Sequence, residues 1–520
     1  MADLPLLTLL WVVPLAGALL VAFLGRTTAA LPKQVALLVS VLTLLLGVMV
    51  AAQFQVGGDA GGGMQLSETR EWINGLGVHY ALGVDGLGLV MVLLTVALTP
   101  LVLLATWHDA DERGPAAFSA WVLALEALSL VVFLATDVFL FYVVFEATLI
   151  PAYFLIGRFG REGSGFAALK FLMYQLGGGL VMLASVIGLY VVAAREGTPS
   201  YLIADLAQLD MGTSAERWLF AGFFIAFAVK APLFPVHTWL ADTTEKATPG
   251  TSVLLVCVLD KIGTFGMIRF CLGLFPEASQ WATPVVVAIA LVSIVYGALV
   301  AIGQDDVLRL IGLTSLSHFG FITLGIFAFS SYGQAGAILY MVNHGIATAA
   351  LFLLAGYLIE RRGSPLISEM GGVEKLAPVL AGLFLVAGLA TLGLPGLSPF
   401  VSEFLVLVAA FDHAWWAGAI AVTGIVLAAV YILWMYQRTM TGPTAPGNEG
   451  VTDLRGREIV AVAPLVTALV VFGFYPQPIL DIVNPSVETS LEQVGVSDDE
   501  PVVPAADPAG PAAEVEEGAR

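Results

Sequence analysis

The chain has 520 residues, of which 58% are hydrophobic and only 12% are charged, whereas a soluble domain carries roughly 25% charged residues. With a mean hydropathy of +0.92, this composition excludes a soluble globular protein and predicts a polytopic, all-α membrane protein. Much of the formal net charge of −19 lies in the acidic segment 488–520, and no basic patch is present, so nucleic-acid binding is not expected.

Windows of apolar sequence, each near 20 residues long, predict about fourteen transmembrane helices. No basic region precedes the first of them, so we expect a retained span rather than a cleaved signal peptide. The segment 376–410 is too long for one straight helix and contains Pro395 and Pro399, which predicts two half-helices around a break. The approximate spans are 5–24, 35–53, 84–106, 118–136, 138–157, 166–194, 217–238, 249–275, 282–302, 306–329, 333–359, 376–410, 415–437 and 457–475.

Basic residues favour the loops on one side of the predicted spans. The opposite loops hold only Arg70, Arg195 and Arg217. Cytoplasmic loops carry the excess of lysine and arginine, so this basic side should face the cytoplasm, and both termini should then lie outside. The residues of the basic side are Arg26, Lys33, Arg113, Arg158, Arg161, Lys246, Arg361, Arg362, Lys375, Arg438, Arg455 and Arg457.

An internal repeat is suggested by two proline-rich breaks, each beside an intramembrane charge. Lys230 stands next to the first break and Glu403 follows the second, and paired broken helices often mark a transport site. We therefore expect two inverted five-helix repeats, and a disordered tail that cannot bury enough apolar surface to fold. The predicted parts are 1–117 with helices 1–3, 118–275 with helices 4–8, 276–440 with helices 9–13, 441–480 with the last helix, and the acidic tail 481–520.

The stretch from Ala228 to Arg269 carries two lysines inside consecutive apolar spans, Lys230 and Lys261, with His237 between them. A lysine in the membrane core costs roughly 2.5 to 3.5 kcal/mol on insertion scales. Two such lysines separated by a helix break therefore predict a path for charge through the membrane.

Two glutamates are candidates for the same path. Glu146 lies in the middle of a span and is expected to be the carboxylate partner of Lys230; a static salt bridge or a protonated acid bound to a carbonyl is the structural alternative. Glu403 follows the second break, where it is expected to release protons rather than to cap a helix. Glu126 is a further intramembrane carboxylate, which has either a role in the path or a neighbouring hydroxyl as its partner.

Three histidines, His237, His318 and His344, lie in polar patches of separate spans. Histidine suits a proton relay because its ordinary pKa lies near neutral, although a single histidine is more often a satisfied core residue. Metal binding is the weaker alternative, since no two of the three are spaced as i and i+4 on one helix.

Other polar residues have simpler explanations. Asp137 stands at a span end and is expected to cap a helix, while Arg269 is expected to reach the interface with its long side chain. Asp260 is not expected to pair with Lys261, because adjacent helical residues point in different directions. We expect it to face another helix. Cys257 lies on one predicted helix with the only other cysteine, too far along it for a disulfide, and no CxxC or GxGxxG motif predicts a metal cluster or nucleotide site.

At these residues the chain resembles the antiporter-like membrane subunits of proton-pumping NADH:quinone oxidoreductase, respiratory complex I. Among them it is most similar to the M-type subunits, whose mitochondrial counterpart is NADH dehydrogenase subunit 4, and the resemblance covers nearly the whole chain. The motifs are FEATLIPAYFLIG around Glu146, KAPLFPVHTWLAD around Lys230, KIGTFGMIRF at Lys261, LIGLTSLSHFGF around His318, NHGIATAALFL at His344 and LGLPGLSPFVSEF around Glu403.

The resemblance implies roles for these residues. Glu146 and Lys230 would form an ion pair near the inner half-channel, and Lys261 would be the central lysine. His318 and His344 would complete the relay, with Glu403 as the distal group. The chain departs from the family pattern at Asp242-Thr243-Thr244, where the family often has a histidine, and at Asp260, where an apolar residue is more usual.

The resulting hypothesis is a proton-translocating complex I subunit in a bacterial cytoplasmic membrane. Protons would enter near Lys230 and leave outward at Glu403, through His237, Lys261, His318 and His344. The resemblance implies no cofactor in this chain, with FMN, iron–sulfur clusters and quinone in partner subunits. Its expected partners are other membrane subunits, including two sister antiporter-like subunits, and membrane lipids. The alternatives are a cation/proton antiporter subunit of the Mrp type and an inert membrane scaffold.

Overall fold

Helices account for nearly all of the regular structure, which confirms the all-α prediction. The computed structural model describes residues 5–26, 30–57, 62–197 and 199–497. The helices are α1 (Leu6–Phe23), α2 (Ala30–Gln53), α3 (Gly86–Ala105), α4 (Pro115–Leu134), α5 (Val138–Ala147), α6 (Leu149–Phe159), α7 (Ser164–Arg195), α8 (Ile203–Leu206), α9 (Thr213–Lys230), α10 (Thr238–Lys246), α11 (Pro249–Val253), α12 (Lys261–Gly266), α13 (Pro276–Ile302), α14 (Val307–Ile326), α15 (Ser331–Arg362), α16 (Pro378–Thr391), α17 (Ser398–His413), α18 (Trp415–Met440), α19 (Gly456–Phe474) and α20 (Gln477–Val494).

Twelve helical segments of the described chain are long and apolar enough to cross a membrane, with α5–α6 and α11–α12 each counted as one segment. The other two predicted spans fall on the broken pairs α9–α10 and α16–α17. The chain is therefore a multi-pass membrane protein, while the count of fourteen spans and the inverted repeats stay predictions.

Three of these segments form the centre of the molecule. The apolar windows of Pro249–Leu272 and Ser331–Arg362 are 100% buried and that of Val307–Ile326 is 94% buried, whereas only 28% of the window of Ala30–Gln53 is buried. Polar groups within these three windows are therefore buried inside the protein.

The first predicted break lies between α9 and α10. Proline has no backbone N–H and cannot continue a helix, and α9 ends at Lys230, just before Pro232. The indole of Trp239 donates to the carbonyl of Val229 at 3.1 Å, which satisfies one of the carbonyl groups that a helix end leaves unpaired. The break is thus built into the fold and not a local distortion.

The second predicted break separates α16 from α17. Gly393 and Gly396 in this segment have φ angles of +76° and +92°, a left-handed conformation that costs glycine little and other residues more. Pro399 then occupies the first turn of α17, where its missing N–H is harmless.

A π-helical turn, Leu254–Leu259, interrupts the central segment between α11 and α12. Its effect is visible at Asp260, whose N–H donates to the carbonyl of Leu255, five residues back, at 2.9 Å. A second π turn, Met267–Leu272, follows α12. Such turns insert an extra residue and change which way the following side chains point. Both cysteines of the segment are buried and free, so the expected absence of a disulfide between them is confirmed.

A β-hairpin of β1 (Gln65–Ile73) and β2 (Val78–Val84) lies between α2 and α3. Hydropathy windows did not predict it, although its turn begins with Asn74-Gly75, a common hairpin signal. Glu68 on β1 accepts from the N–H of Leu7 at 2.8 Å, which ties the hairpin to α1. On the same side of the molecule, Asp137 accepts from the backbone N–H groups at the start of α5, which confirms its predicted role as a cap.

Two expectations about this side need correction. The predicted disordered tail 481–520 begins inside α20, which is helical to Val494, while residues 498–520 lie outside the described part of the chain. Apolar residues of α20 recur every three or four positions, a pattern that the acidic composition masked; the buried ones are Ile479, Val483, Val487, Leu491 and Val494. Arg269 does not extend freely to the interface but pairs with Asp85 at 2.6 Å, because the fold brings the start of α3 against the second π turn.

Candidate functional site

Lys261 and His344 meet at the centre of the molecule. The Lys261 Nζ atom lies 2.6 Å from His344 Nδ1, and His344 Nε2 lies 3.2 Å from the Ser315 hydroxyl. An ammonium group has only donors, so when Lys261 is protonated His344 accepts at Nδ1 as a neutral imidazole and can donate from Nε2 to Ser315. The Phe319 ring, 4.3 Å from Lys261 Nζ, adds a cation–π contact.

A second group of side chains continues from His344 toward α17. The His318 ring centroid lies 5.1 Å from that of His344 and 5.9 Å from that of Tyr340. The Tyr340 hydroxyl donates to Glu403 Oε1. Four helices thus bring together Lys261, His344, His318 and Glu403, with Tyr340 as the link to the carboxylate. Tyr340 was missed in the sequence, although it stands four residues before His344 and so on the same face of α15.

Glu403 is fastened to the second helix break. It is buried on α17, and its Oε2 atom has no hydrogen-bond partner among the described residues. That oxygen lies so close to Gly393 that a methyl group there would overlap it. Glycine is therefore needed at this position both to form the left-handed turn and to leave space for the carboxylate.

Lys230 is fully buried at the end of α9. Its Nζ atom lies 3.4 Å from the Thr148 hydroxyl and 4.7 Å from the Phe145 ring centroid. The C-terminus of a helix carries partial negative charge and favours a cation. The ammonium is thus held by a helix end, a hydroxyl and an aromatic face.

Glu146 makes no contact ion pair with Lys230 in the described structure. The two charges interact electrostatically across a longer gap, and Glu146 Oε1 is buried without a hydrogen-bond partner among the described residues. Its carboxylate instead lies against Gly179 of α7, where an added methyl group would overlap it. The predicted partnership is therefore a separated pair in this conformation.

His237 lies apart from these groups, in the turn that precedes α10. It is buried, with its ring 5.9 Å from the Phe234 ring and 5.2 Å from the Tyr296 ring, and its Nδ1 atom has no partner among the described residues. The charge that acts on it comes from Lys170, not from Lys230. The sequence placed it near Lys230, but the break carries it toward the basic side.

A cluster of charges that the sequence did not reveal surrounds α10 on the basic side. Asp242 pairs with Lys170 at 2.6 Å and with Arg309 at 2.7 Å, and Arg309 also pairs with Glu245 at 2.7 Å. Asp242 and Glu245 are three residues apart and so share a face of α10, which is the one signal that could have indicated the cluster. These pairs join α7, α10 and α14 below the first break.

Two cavities flank the central helices. One of about 460 Å³ opens on the basic side and is lined by Asp109, Glu112, Thr248 and Glu360, among others. The other, of about 370 Å³, lies on the opposite side against Asp85 and Arg269. Within the described ranges, no group of three or more histidine, cysteine, aspartate or glutamate side chains is arranged to hold a metal ion.

Comparison with known proteins places these features in context. Residues 135–428 match the family model described as NADH:quinone oxidoreductase/Mrp antiporter, transmembrane. The chain is 48% identical to NADH-quinone oxidoreductase subunit M of Mycobacterium tuberculosis, covering 100% of both chains. It is 33% identical to NADH-ubiquinone oxidoreductase chain 4 of Arabidopsis thaliana, covering 92% of this chain and 95% of that one. Its fold is similar to a chain of respiratory complex I from Thermus thermophilus with bound NADH, with a TM-score of 0.86, 32% identity and coverage of 94% and 100%.

Proposed function

We propose that this chain, which belongs to the NADH:quinone oxidoreductase/Mrp antiporter family of membrane proteins, moves protons across the membrane as one subunit of an NADH:quinone oxidoreductase. Relatives named as NADH-quinone or NADH-ubiquinone oxidoreductase chains match 100% and 92% of this chain. We propose both the route of the protons through the chain and the residues that transfer them.

The observation that carries the proposal is the connected set Lys261, His344, His318, Tyr340 and Glu403, in which hydrogen bonds join the first two and the last two. His318 joins the two pairs by ring contacts alone, since its nitrogens have no hydrogen-bond partner among the described residues. Ionisable groups in a membrane core are costly and usually functional. Here buried side chains from four helices lie in sequence rather than as isolated pairs. Because hydroxyl, imidazole, amine and carboxyl groups can each give up and regain a proton, the set can conduct protons without a metal or redox group.

The entry to this route is proposed at Lys230 and His237, and the exit at Glu403. Lys230 lies beside the first break and Glu403 beside the second, and breaks expose backbone groups that water can reach. The excess of lysine and arginine in the loops on one side supports an entry from the cytoplasm, with both termini outside. Glu146 acts on Lys230 as a distant counter-charge, so a small approach or retreat of that carboxylate changes how readily the lysine releases its proton.

The energy for transport has to come from outside this chain. Moving one charge against 100 mV costs about 2.3 kcal/mol. We propose that quinone reduction in partner subunits, which would hold the FMN, iron–sulfur clusters and quinone, drives the changes at Lys230. The partners are the other membrane subunits of such a complex, including sister antiporter-like subunits, in a bacterial cytoplasmic membrane.

The Mrp-type alternative shares the family model, so the fold cannot separate the two. Full-length identity to subunit M favours the oxidoreductase. A purely structural role fits poorly with a lysine, two histidines and a carboxylate buried in one connected set, because a scaffold gains nothing from the cost of burying them.

The test uses inverted membrane vesicles of a host that assembles the complex with Lys230→Ala. NADH-driven proton uptake is recorded by quenching of a ΔpH dye, and NADH oxidation by hexacyanoferrate serves as the assembly measure. Lys375→Ala is the matched control, because Lys375 is exposed on the basic side and bonds only to the carbonyl of Gly442 at 2.9 Å. We expect loss of proton uptake and quinone-linked turnover in the first variant alone.

Three results would overturn the proposal in different ways. Normal uptake per NADH oxidised in Lys230→Ala would exclude Lys230 from the route. Normal uptake in variants of both Lys230 and Lys261 would leave only the scaffold. Sodium-dependent proton exchange without NADH would favour the Mrp-type antiporter.

A further inference from the structure

Asp260 is a buried carboxylate that the route described so far does not use. Its exposed fraction is 0%, and neither of its oxygens has a hydrogen-bond partner among the described residues. A buried carboxylate without partners is costly unless a nearby cation offsets its charge or a proton neutralises it. The charged groups around Asp260 therefore determine whether it is ionised or protonated.

Asp260 faces the end of the helix that carries Lys230, although it makes no hydrogen bond with either lysine in the described structure. Gly263, one turn further along, packs so tightly that an added methyl group would touch the backbone of Ala231 and Phe227 at the end of α9. Residues three apart share a helix face, so Asp260 faces the end of α9, where Lys230 lies next to Ala231. Its charge acts on both Lys230 and Lys261.

Asp260 acts electrostatically on Lys230 in the same direction as Glu146, the expected partner. Lys261, the next residue in the chain, points elsewhere and contacts His344 at 2.6 Å. The π turn that ends at Leu259 allows Asp260 and Lys261 to face different helices, because it changes the direction in which the following side chains point. Adjacent residues thus serve two different helices.

We propose that Asp260 carries protons between the two lysines, joining the entry at Lys230 to the central set at Lys261. This inference rests on the proposed function. In the first step the Lys230 side chain approaches Asp260, an N–H bond of the ammonium breaks and an O–H bond forms on Asp260, which leaves a neutral amine and a neutral acid. In the second step a neutral Lys261 amine turns from His344 toward Asp260, the O–H bond breaks and an N–H bond forms on the amine, and Asp260 returns to a carboxylate.

Neither step adds a net charge to the membrane core. Each exchanges an ion pair for a neutral pair, or the reverse, and this avoids the penalty of moving an isolated charge through apolar surroundings. Two ammonium groups facing each other without a carboxylate would repel and could not exchange a proton in this way.

The test compares three Asp260 variants in the assembled complex. Asp260→Asn removes the titrating group with little change of shape, and Asp260→Leu removes it with an apolar side chain that needs no partner. Asp260→Glu keeps a carboxylate. Glu216→Gln is the matched control, since Glu216 is a buried carboxylate in the first turn of α9 that accepts from the N–H of Ala278 at 2.9 Å and acts on neither lysine.

We expect Asp260→Asn and Asp260→Leu to lower NADH-driven proton uptake and quinone-linked turnover by about tenfold or more, in line with the loss of a proton-transfer group. Hexacyanoferrate reduction should stay at the control level. Asp260→Glu should restore most of the uptake, which a merely structural role for the carboxylate would not require. If Asp260→Asn fails to assemble, the leucine variant decides the question, because it relieves the buried polar group.

Lys230→Ala is measured in the same vesicles to separate this inference from the proposed function. If Lys230→Ala abolishes uptake while the asparagine or leucine variant pumps normally, Asp260 is not a carrier and the route stands without it. If Lys230→Ala pumps normally, the proposed entry is wrong and the role of Asp260 falls with it. If Glu216→Gln loses uptake as fully as Asp260→Asn, the effect is not specific to the lysine pair and the proposal is overturned.

Discussion

Gly393 is the position at which one added methyl group should disable the outer end of the route. The residue has a φ of +76°, and a methyl group on its Cα would overlap Glu403 Oε2. Gly393→Ala therefore strains the backbone and displaces the carboxylate at once. The displacement is the functional effect, because it pulls Glu403 away from the Tyr340 hydroxyl.

The backbone strain and the displacement of the Glu403 carboxylate differ in free energy, and different measurements detect them. A non-glycine residue in the left-handed region costs about 1 to 2 kcal/mol, which lowers stability without touching the chemistry. A hydrogen bond to a charged group contributes about 1.5 to 3 kcal/mol. Losing this hydrogen bond lowers the population of the aligned Tyr340–Glu403 pair by about 10- to 150-fold, since each 1.36 kcal/mol is a factor of ten.

The assay is NADH-driven proton uptake in inverted vesicles, normalised to hexacyanoferrate reduction, with thermal inactivation of the solubilised complex as the stability measure. Gly382→Ala is the matched control, because Gly382 lies on α16 with no atom within 4 Å of an added methyl group. Alanine there is expected to be neutral or stabilising by up to about 1 kcal/mol. Gly393→Ala with uptake equal to that of Gly382→Ala would refute the argument.

Three further variants test other contacts. Tyr340→Phe removes the donor to the buried carboxylate on α17 and should reduce NADH-driven uptake by about tenfold or more; unchanged uptake would exclude the hydroxyl from the route. Gly179→Ala should overlap the carboxylate of Glu146 and impair uptake, whereas Gly177→Ala, with open space beside it, should not; equal effects would contradict the geometry. Asp453 accepts from two backbone N–H groups at the start of α16, so Asp453→Ala should destabilise the complex by about 0.5 to 2 kcal/mol in thermal inactivation. Burial raises the pKa of Asp453, but these N–H groups lower it on balance, so its stabilisation is present above its ordinary pKa and lost as the pH falls; the alanine variant should lack that pH dependence.

The sequence predicted the helices well because membrane spans depend on local composition. The resemblance to complex I membrane subunits, based on six short motifs, is confirmed by the full-length identity to subunit M. Both helix breaks were predicted because proline and glycine act on the backbone within a few residues. The hairpin and α20 were missed, since an alternating strand and an amphipathic surface helix lack the long apolar run that marks a span.

The candidate residues could be chosen from the sequence because a charge in an apolar run is conspicuous and costly. Their partners could not be predicted in the same way. Tyr340 looked like an ordinary aromatic residue of a span until the fold placed its hydroxyl on Glu403. Glu146, chosen as the partner of Lys230, lies instead against Gly179.

The sequence by itself predicted which segments are apolar enough to cross the membrane, where two helices break and which ionisable groups lie within those segments. Only the tertiary structure decided which of those groups meet: Lys261 with His344, and Asp260 facing the end of α9 that carries Lys230. The physical reason is that such contacts join residues far apart in the chain. They depend on how each helix is rotated and on a π turn that redirects two adjacent side chains, and no local pattern of residues encodes either.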